Sequence, residues 1–339
     1  MNLEEFMAES VAGGASDIYL STGVPPSARI DGNVVISNYP IIRAETLRSF
    51  LSAVIPSDRM EVFESTKECD FSLDLMKIGR FRVNVLWQER GLALVFRVIS
   101  RNIPSLDELD APEVFRKIIN RSSGLVLVVG ATGSGKSTTL AAITSFLNDE
   151  FSYNIITVED PIEFIHAPRR SIINQRELHR HTHSFANALR AALREDPDCI
   201  LVGELRDLET IRLALTAAET GHLVLATLHT NSAARTLDRI VDVFPAEEKI
   251  LVRTMLAESL NAVICQRLVR KIGGGRAAAW EVMISTPAIR NLIREGKTAQ
   301  IYSTIQTSQE QGMMTMEASL RDLVRRRLIT EAECQGVLG

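Results

Sequence analysis

The spacing of hydrophobic residues changes along the chain and divides it into two regions. Near the start, Leu3, Phe6, Met7 and Val11 share one face of a predicted short helix. Short strand-like segments follow, and two longer ones, RFRVNVLWQ and LALVFRVIS, flank a turn and predict a β-hairpin. Residues 1–100 are therefore predicted to form a small mixed α+β domain.

A different pattern begins after residue 112. Apolar segments such as LVLVV, CILVGE and HLVLATLH alternate with amphipathic segments such as FANALRAAL. This alternation is typical of a largely parallel sheet with helices on both faces. We predict an α/β domain over 113–339, mostly helical from about Pro245. Residues 101–112 contain two prolines and have weak periodicity, so they are predicted to be a linker.

Composition narrows the classes of function. The 339 residues exceed one ordinary domain, and 45% of them are hydrophobic, so two packed domains are expected. The formal net charge is −4 and 5% of residues are aromatic, which disfavours a nucleic-acid partner. The apolar runs are far shorter than the ~20 residues that span a bilayer, so we expect a soluble, cytoplasmic protein. The four cysteines form no Cys-x-x-Cys pair and are predicted to be buried thiols.

The strongest chemical signal is the segment GATGSGKST, which fits the pattern G-x-x-x-x-G-K-[ST] between an apolar strand and a helix. Glycines let backbone N–H groups surround phosphate oxygens, and the helix N-terminus adds positive potential. Lys136 is expected to reach the β- and γ-phosphates of ATP, and Ser137 to bind Mg²⁺. The predicted nucleotide-binding residues of this loop are Gly130, Ala131, Thr132, Gly133, Ser134, Gly135, Lys136, Ser137 and Thr138.

Hydrolysis also needs carboxylates, and two predicted strands end in them. CILVGELRD reaches Glu204, and TVEDPIEF carries Glu159, Asp160 and Glu163. The carboxyl ends of strands are where open α/β sheets bind ligands, so these acids are expected beside the phosphates. One would hold Mg²⁺, directly or through water, and another would orient the attacking water.

These motifs carry a family resemblance. The stretches GASDIYLSTG, GLVLVVGATGSGKSTTLAA, EDPIEFIH, ALREDPDCILVGELRD, TGHLVLATLHT and TPAIRNLIREGK resemble the secretion-type hexameric ATPases, and within them the type IV pilus retraction ATPases. The resemblance runs from the first helix to about residue 312. It implies a PAS-like N-terminal domain, a RecA-like P-loop ATPase domain and a homohexameric ring. Ala131 differs from the proline usual there, at a position where only the backbone is used.

The resemblance also implies roles for single residues. Its Asp box falls on 157–166, its Walker B motif on 199–207 and its His box on 216–230. Glu163 would position water and Glu204 would join the magnesium shell, although these two roles could be exchanged. His229 would sense the γ-phosphate, and His222 would support it. Taken alone, each histidine would more often cap or pack than catalyse.

Three arginines match family positions that bring charge to the nucleotide from the N-terminal domain or a neighbouring subunit. They are Arg80, Arg82 and Arg97. The alternative is that alternating arginines, as in R-F-R, only mark the solvent face of a strand. The run HRHTH at 179–183 matches no standard metal site and is interpreted as a solvated loop or helix start.

A helix near residue 290 bears on the direction of work. Thr286 is a predicted N-cap, Pro287 starts the helix, and Ile289, Leu292 and Ile293 share one face. The retraction ATPases carry the signature AIRNLIRE, which occurs here as Ala288, Ile289, Arg290, Asn291, Leu292, Ile293, Arg294 and Glu295.

The implied function is an ATPase that powers pilus retraction and twitching motility through an inner-membrane platform protein. It would lie at the cytoplasmic face of that membrane and contact pilin only indirectly. The alternatives are an accessory retraction paralogue, a pilus-assembly or type II secretion ATPase, and, less favoured, a RecA-like DNA motor. The assembly ATPases carry a paired-cysteine zinc module, which this sequence lacks.

Overall fold

The computed structural model describes residues 2–30, 32–99 and 102–338, and all but one of their side chains, that of Asp58. The chain divides into two compact units. The smaller takes the chain up to Asn102 together with Pro161–Ile165, and the larger takes Ile103–Asp160 and the chain from His166 onward. Residues 103–112 of the predicted linker thus belong to the larger unit, where Leu106 is buried in the core; Arg101 lies outside the described residues.

The smaller unit contains a six-stranded antiparallel sheet in the order β3-β2-β1-β6-β5-β4. Its strands are β1 Asp17–Ser21, β2 Ser27–Ile30, β3 Asn33–Ile36, β4 Glu68–Leu75, β5 Gly79–Gln88 and β6 Gly91–Ile99. Its helices are α1 Leu3–Ala12, α2 Ala44–Val54 and α3 Ser57–Thr66.

Strand alternation builds the core of the smaller unit. Along β5, Phe81, Val83 and Val85 are fully buried, and the Phe81 ring meets Phe96 of β6 edge to face at 5.7 Å. The predicted hairpin of β5 and β6 is confirmed, with its turn at Glu89 and Arg90. The intervening side chains of β5 point to the other face of the sheet, which becomes important below.

The larger unit contains a seven-stranded sheet in the order β13-β12-β7-β11-β10-β8-β9. Its strands are β7 Gly124–Val129, β8 Asn154–Glu159, β9 Ile172–Glu177, β10 Cys199–Val202, β11 Leu223–Leu228, β12 Leu260–Arg270 and β13 Arg276–Ile284. Its helices are α4 Val114–Ile119, α5 Lys136–Glu150, α6 Phe185–Ala192, α7 Leu208–Glu219, α8 Ala233–Asp242, α9 Lys249–Ser259, α10 Pro287–Arg294, α11 Ile301–Thr307, α12 Met316–Arg325 and α13 Glu331–Leu338. All neighbouring strands pair in parallel except β12 and β13.

The predicted parallel sheet with helices on both faces is confirmed. Leu125, Leu127 and Val129 of β7 enter one buried cluster, whereas Val126 and Val128 enter another on the opposite face. Because both faces are covered, the strand is apolar at every position. The prediction of a mostly helical last third is wrong over 260–284, where β12 and β13 form an antiparallel hairpin that extends the sheet.

The four cysteines are buried thiols, as predicted. Burial raises the pKa of the Cys199 and Cys265 thiols well above the ordinary range, which keeps them protonated and unreactive. Of the helices in the described ranges, none combines the length and apolar character needed to cross a bilayer.

Candidate nucleotide-binding site

The loop between β7 and α5 has a backbone that requires glycine. Gly133 and Gly135 have φ values of 78° and 90°, and a Cβ on Gly135 would lie 2.8 Å from Nε2 of Gln266. Gly135 is the N-cap of α5, and no side chain caps this helix. The first N–H groups of α5 therefore have no side-chain acceptor, which is the arrangement that binds phosphate.

Lys136 lies inside this loop and faces the end of β11. Its Nζ donates to the carbonyl oxygens of Gly130 at 2.8 Å and Ala131 at 3.0 Å, and lies 3.3 Å from Nδ1 of His229. Nε2 of His229 is 3.2 Å from Oε1 of Glu204. Because an ammonium only donates and a carboxylate only accepts, this geometry fits the neutral imidazole with its proton on Nε2.

Strand register explains why these three residues meet. Leu228 is paired with Val129, so His229 and Gly130 leave adjacent parallel strands side by side. Ala226 is paired with Val202, which places the residues after β10 on the other side of His229. The loop after β10 is fixed to β11, since Leu205 N donates to Thr227 O at 3.0 Å and Thr227 Oγ1 donates to Gly203 O. Strand register thus brings Lys136, Glu204 and His229 together at the carboxyl edge of the sheet.

Arg206 extends this cluster and was missed by sequence reasoning. Its Nε donates to Oε2 of Glu204 at 2.7 Å, and its Nη1 lies 3.4 Å from Oδ2 of Asp160. The bond to Glu204 raises the pKa of the guanidinium further. Arg206 thus links Glu204 to the end of the neighbouring strand β8. Its position two residues after Glu204 was the available signal, but a charge after a strand is usually a solvated one.

Gln266 of β12 packs against the phosphate loop at Gly135, and sequence reasoning also missed it. Its Oε1 accepts from Thr139 Oγ1 at 2.7 Å, a buried bond. The Ser134 hydroxyl is buried and has no hydrogen-bond partner among the residues that the structure describes. A buried hydroxyl that can still donate a hydrogen bond fits a loop that receives phosphate oxygens.

Two further carboxylates are already engaged in the larger unit. Glu159 accepts from Thr157 Oγ1 at 2.6 Å and from Gln175 Nε2 at 3.2 Å. Glu281 of β13 accepts from the backbone N–H of Ala233 at 2.8 Å, which fixes the start of α8 just after His229. Burial raises the pKa of the Glu281 carboxyl. Glu159 was one of the strand-end acids expected beside the phosphates, whereas no role was predicted for Glu281 from the sequence.

The remaining predicted loop residues lie at the surface. Ala131, Thr132 and Ser137 are exposed, and Thr138 is half-buried in the first turn of α5.

Glu163 is half-buried and belongs to Pro161–Ile165, the segment grouped with the smaller unit. Lys136, Glu204 and His229 are grouped with the larger unit.

His222 does not meet His229 within one chain, so its predicted support of His229 has no contact behind it here. His222 precedes β11 whereas His229 follows it, so the strand separates them by roughly 20 Å at about 3.3 Å per residue. Nδ1 of His222 lies 3.0 Å from Ala217 O, and its carbonyl accepts from Gly124 N at 3.0 Å. His222 closes the turn between α7 and β11 at the amino edge of the sheet.

The three predicted arginines share one face of the smaller sheet but differ in surroundings. Arg82 lies opposite Arg97 in register and is half-buried. Arg97 pairs with the buried Asp17 at 3.1 Å and keeps 69% of its side chain exposed. Arg80 is buried and donates to the carbonyl oxygen of Ile162 at 3.0 Å.

Residues of the AIRNLIRE stretch form α10 with the predicted cap. Thr286 Oγ1 accepts from Ile289 N at 3.3 Å. Ile289 and Ile293 are buried, and Leu292 packs against the same core. Ala288, Asn291, Arg294 and Glu295 are exposed, and Arg290 is half-buried. Arg294 pairs with Glu258 at 3.1 Å.

The run HRHTH forms a turn before α6, as the sequence indicated. His179 has φ 63°, and Nδ1 of His181 accepts from the backbone N–H of Glu177 at 3.0 Å. Throughout the described ranges, no three His, Cys, Asp or Glu side chains are grouped so that they could hold a metal ion.

A glycine-rich loop between a buried strand and a helix is the mark of a P-loop nucleoside-triphosphatase site, and here its lysine is linked through His229 to Glu204, which follows β10. Residues 2–335 match the family model described as type II/IV secretion system protein, and the chain belongs to that family.

Two curated proteins and one solved structure are similar to this chain over at least 90% of its length. The type IV pilus retractation ATPase PilT of Pseudomonas aeruginosa is 54% identical over 330 residues, covering 97% of this chain and 96% of that protein. A twitching motility protein of Neisseria gonorrhoeae is 55% identical over 305 residues, covering 90% and 82%. The crystal structure of the pilus retraction motor PilT with bound ADP superposes with a TM-score of 0.92 at 45% identity, covering 99% of this chain and 96% of that one.

Proposed function

We propose that this protein hydrolyses ATP to drive retraction of a type IV pilus. The observation that carries the proposal is the linked arrangement of Lys136, His229 and Glu204 at the mouth of the phosphate loop. The 54% identity to a pilus retraction ATPase over 97% of the chain supports the direction of the work. The intact AIRNLIRE stretch agrees with it.

The residues present fit ATP with Mg²⁺. The uncapped start of α5 and the loop glycines would receive the β- and γ-phosphates, and Lys136 would neutralise them. Ser137, exposed in the first turn of α5, and Glu204 would hold the magnesium ion, directly or through water. When bound, the ion supplies positive charge against the phosphate oxygens.

The protein side chains would divide the remaining work. Glu163 would orient the attacking water and Glu204 would complete the magnesium shell, or the two would exchange these roles. His229 contacts both Lys136 and Glu204, so any anion that draws Lys136 away changes the surroundings of Nδ1. This geometry suits a sensor of the γ-phosphate. Arg82 and Arg97 would supply positive charge from the smaller unit to the nucleotide of the same or a neighbouring subunit.

The working form would be a homohexamer at the cytoplasmic face of the inner membrane. Hydrolysis would move the N-terminal domain of one subunit against the ATPase domain of the next. That motion would turn an inner-membrane platform protein, which would release pilin subunits from the fibre. Pilin itself would not be contacted, and no nucleic acid would take part. A paralogous retraction ATPase is a further expected partner.

The test compares surface pili on cells that carry Lys136→Ala, the exposed-lysine control Lys117→Ala, or the unaltered protein. Pilin is sheared from the cells and quantified, and twitching is measured on the same cultures. Because only withdrawal of the fibre needs the motor, Lys136→Ala should increase surface pilin and abolish twitching, and Lys117→Ala should change neither.

Other outcomes would assign a different role. Cells without pili would identify an assembly ATPase and overturn the retraction proposal. Unchanged pili and motility would identify an accessory paralogue whose loss a second motor covers. Purified protein whose ATP turnover needs DNA would support the RecA-like DNA motor instead.

A further inference from the structure

The segment Pro161–Ile165 leaves the larger unit and returns to it. Asp160 before it and His166 after it belong to the larger unit, whereas the five residues between them are grouped with the smaller unit. The central residue of the segment is Glu163, the proposed water-orienting carboxylate. Whatever holds the segment on the smaller unit therefore bears on where this carboxylate lies.

Arg80 holds the segment at the residue before Glu163. Its Nη2 donates to the carbonyl oxygen of Ile162 at 3.0 Å, and this hydrogen bond is buried. Arg80 is 8% exposed and Ile162 is 5% exposed. A bond from a charged donor to a carbonyl is among the stronger hydrogen bonds in proteins, and burial protects it from competition by water. A guanidinium so enclosed is not free to extend to a neighbouring subunit.

The strand that carries Arg80 is held firmly in place. β5 is paired on both sides, and Arg80 lies opposite Asp74 of β4 and Ile99 of β6. The next side chain, Phe81, is fully buried in the core. Arg80 and Arg82 therefore share the outer face, where Arg82 is only half-buried. Arg80 is more buried than Arg82 on the same face because the segment that contains Ile162 lies against Arg80.

We propose that Arg80 is a positioning residue for Glu163, and this inference rests on the proposed function above. By binding the carbonyl of Ile162, Arg80 fixes the carboxylate to the six-stranded sheet. Lys136, Glu204 and His229 stay with the larger unit, so the water-orienting group and the phosphate-binding group are carried by different units. Of the three arginines, Arg82 and Arg97 remain as candidates for direct contact with phosphate.

The test combines Arg80→Gln, Arg80→Lys and the exposed-arginine control Arg43→Gln with Glu163→Gln. Arg80→Gln should lower kcat by about 10- to 100-fold, the size of effect expected when a reacting group is misplaced, and should leave the KM for ATP within about twofold. In the Glu163→Gln background the same change should cost less than about threefold further, because two residues that act as one unit are not additive. Arg80→Lys should restore part of kcat, and Arg43→Gln should change nothing.

A second readout does not depend on activity. Hydrogen exchange of the amides in 162–165 should become faster by on the order of tenfold in Arg80→Gln, while exchange in β5 stays the same. Additive losses with Glu163→Gln, or a raised KM, would overturn the positioning role and return Arg80 to the phosphate-binding class. Full activity of Glu163→Gln alone would instead refute the proposed role of Glu163, and unchanged exchange in 162–165 would refute the anchor itself.

Discussion

The two edges of the seven-stranded sheet carry different polar side chains and use them in different ways. At the amino edge these side chains bind backbone groups of the turns. Asn154 Nδ2 donates to Glu195 O at 2.7 Å, and Asn261 Nδ2 donates to Ser123 O at 2.7 Å. Such bonds satisfy carbonyl groups that the turns leave unpaired, so the amino edge serves stability.

At the carboxyl edge the side chains mainly bind one another. His229 lies 3.3 Å from Lys136 and 3.2 Å from Glu204, and Arg206 lies 2.7 Å from Glu204. In the ion pair of Arg206 with Glu204 the Arg206 side chain is 54% exposed, and partly exposed ion pairs of this kind contribute little to folding. A network that stabilises little but concentrates charge beside a phosphate loop is best explained by function.

The largest effect should separate the two histidines of the His box. His229→Ala should lower kcat by roughly 10- to 100-fold, because the link between Lys136 and Glu204 is lost. His222→Ala should leave kcat within about twofold and lower the melting temperature by roughly 2–4 °C, the effect of losing one hydrogen bond worth about 1 kcal/mol. Steady-state turnover and thermal unfolding of both variants check this. Equal losses of turnover would mean that the amino edge also takes part in catalysis.

Lowering the pH should reduce the free energy of unfolding through protonation of His166, which lies near the carboxyl edge. Burial lowers the pKa of this imidazole to about 4, and its backbone N–H donates to Oε1 of Gln175, which in turn binds Glu159. The stability that neutral His166 contributes is present above pH 6.5 and is lost as the pH falls toward 4. The loss should reach about 3 kcal/mol, at 1.36 kcal/mol for each unit of the shift.

Denaturant unfolding between pH 7 and 4 measures that loss. His166→Gln should flatten the dependence, and the exposed control His183→Gln should keep it. An equally steep dependence in His166→Gln would show that other groups cause the acid sensitivity.

The smallest effect concerns Glu281, which fixes the loop after His229. Burial raises the pKa of its carboxyl, so the stability it contributes is present below its ordinary pKa and is lost as the pH rises through the raised value. Glu281→Gln keeps an acceptor oxygen for Ala233. Its melting temperature at pH 8 should therefore be higher by roughly 2–4 °C, the shift for about 1 kcal/mol. Thermal unfolding at pH 5 and 8 checks it against the exposed control Glu247→Gln, and a lower melting temperature at pH 8 would contradict it.

Local pattern was sufficient where one segment carries the whole signal. The phosphate loop, the strand before it and the helix after it were predictable because glycine, lysine and helix start are fixed within nine residues. The capped helix α10 was predictable for the same reason. Residues 260–284 were not, because an apolar run such as LNAVICQRLV fits a buried strand as well as a buried helix.

The positions of the site residues relative to one another depend on how the strands pair in the folded sheet. The sequence alone determined an α/β P-loop protein with a smaller N-terminal α+β region, since those conclusions need only periodicity and short motifs. Only the tertiary structure placed His229 beside Lys136 and His222 at the far edge, because strand direction and register are set by neighbouring strands. The same reason applies to the contacts of Arg206 with Asp160, Gln266 with Thr139 and Arg80 with Ile162, which join residues 46, 127 and 82 positions apart along the chain.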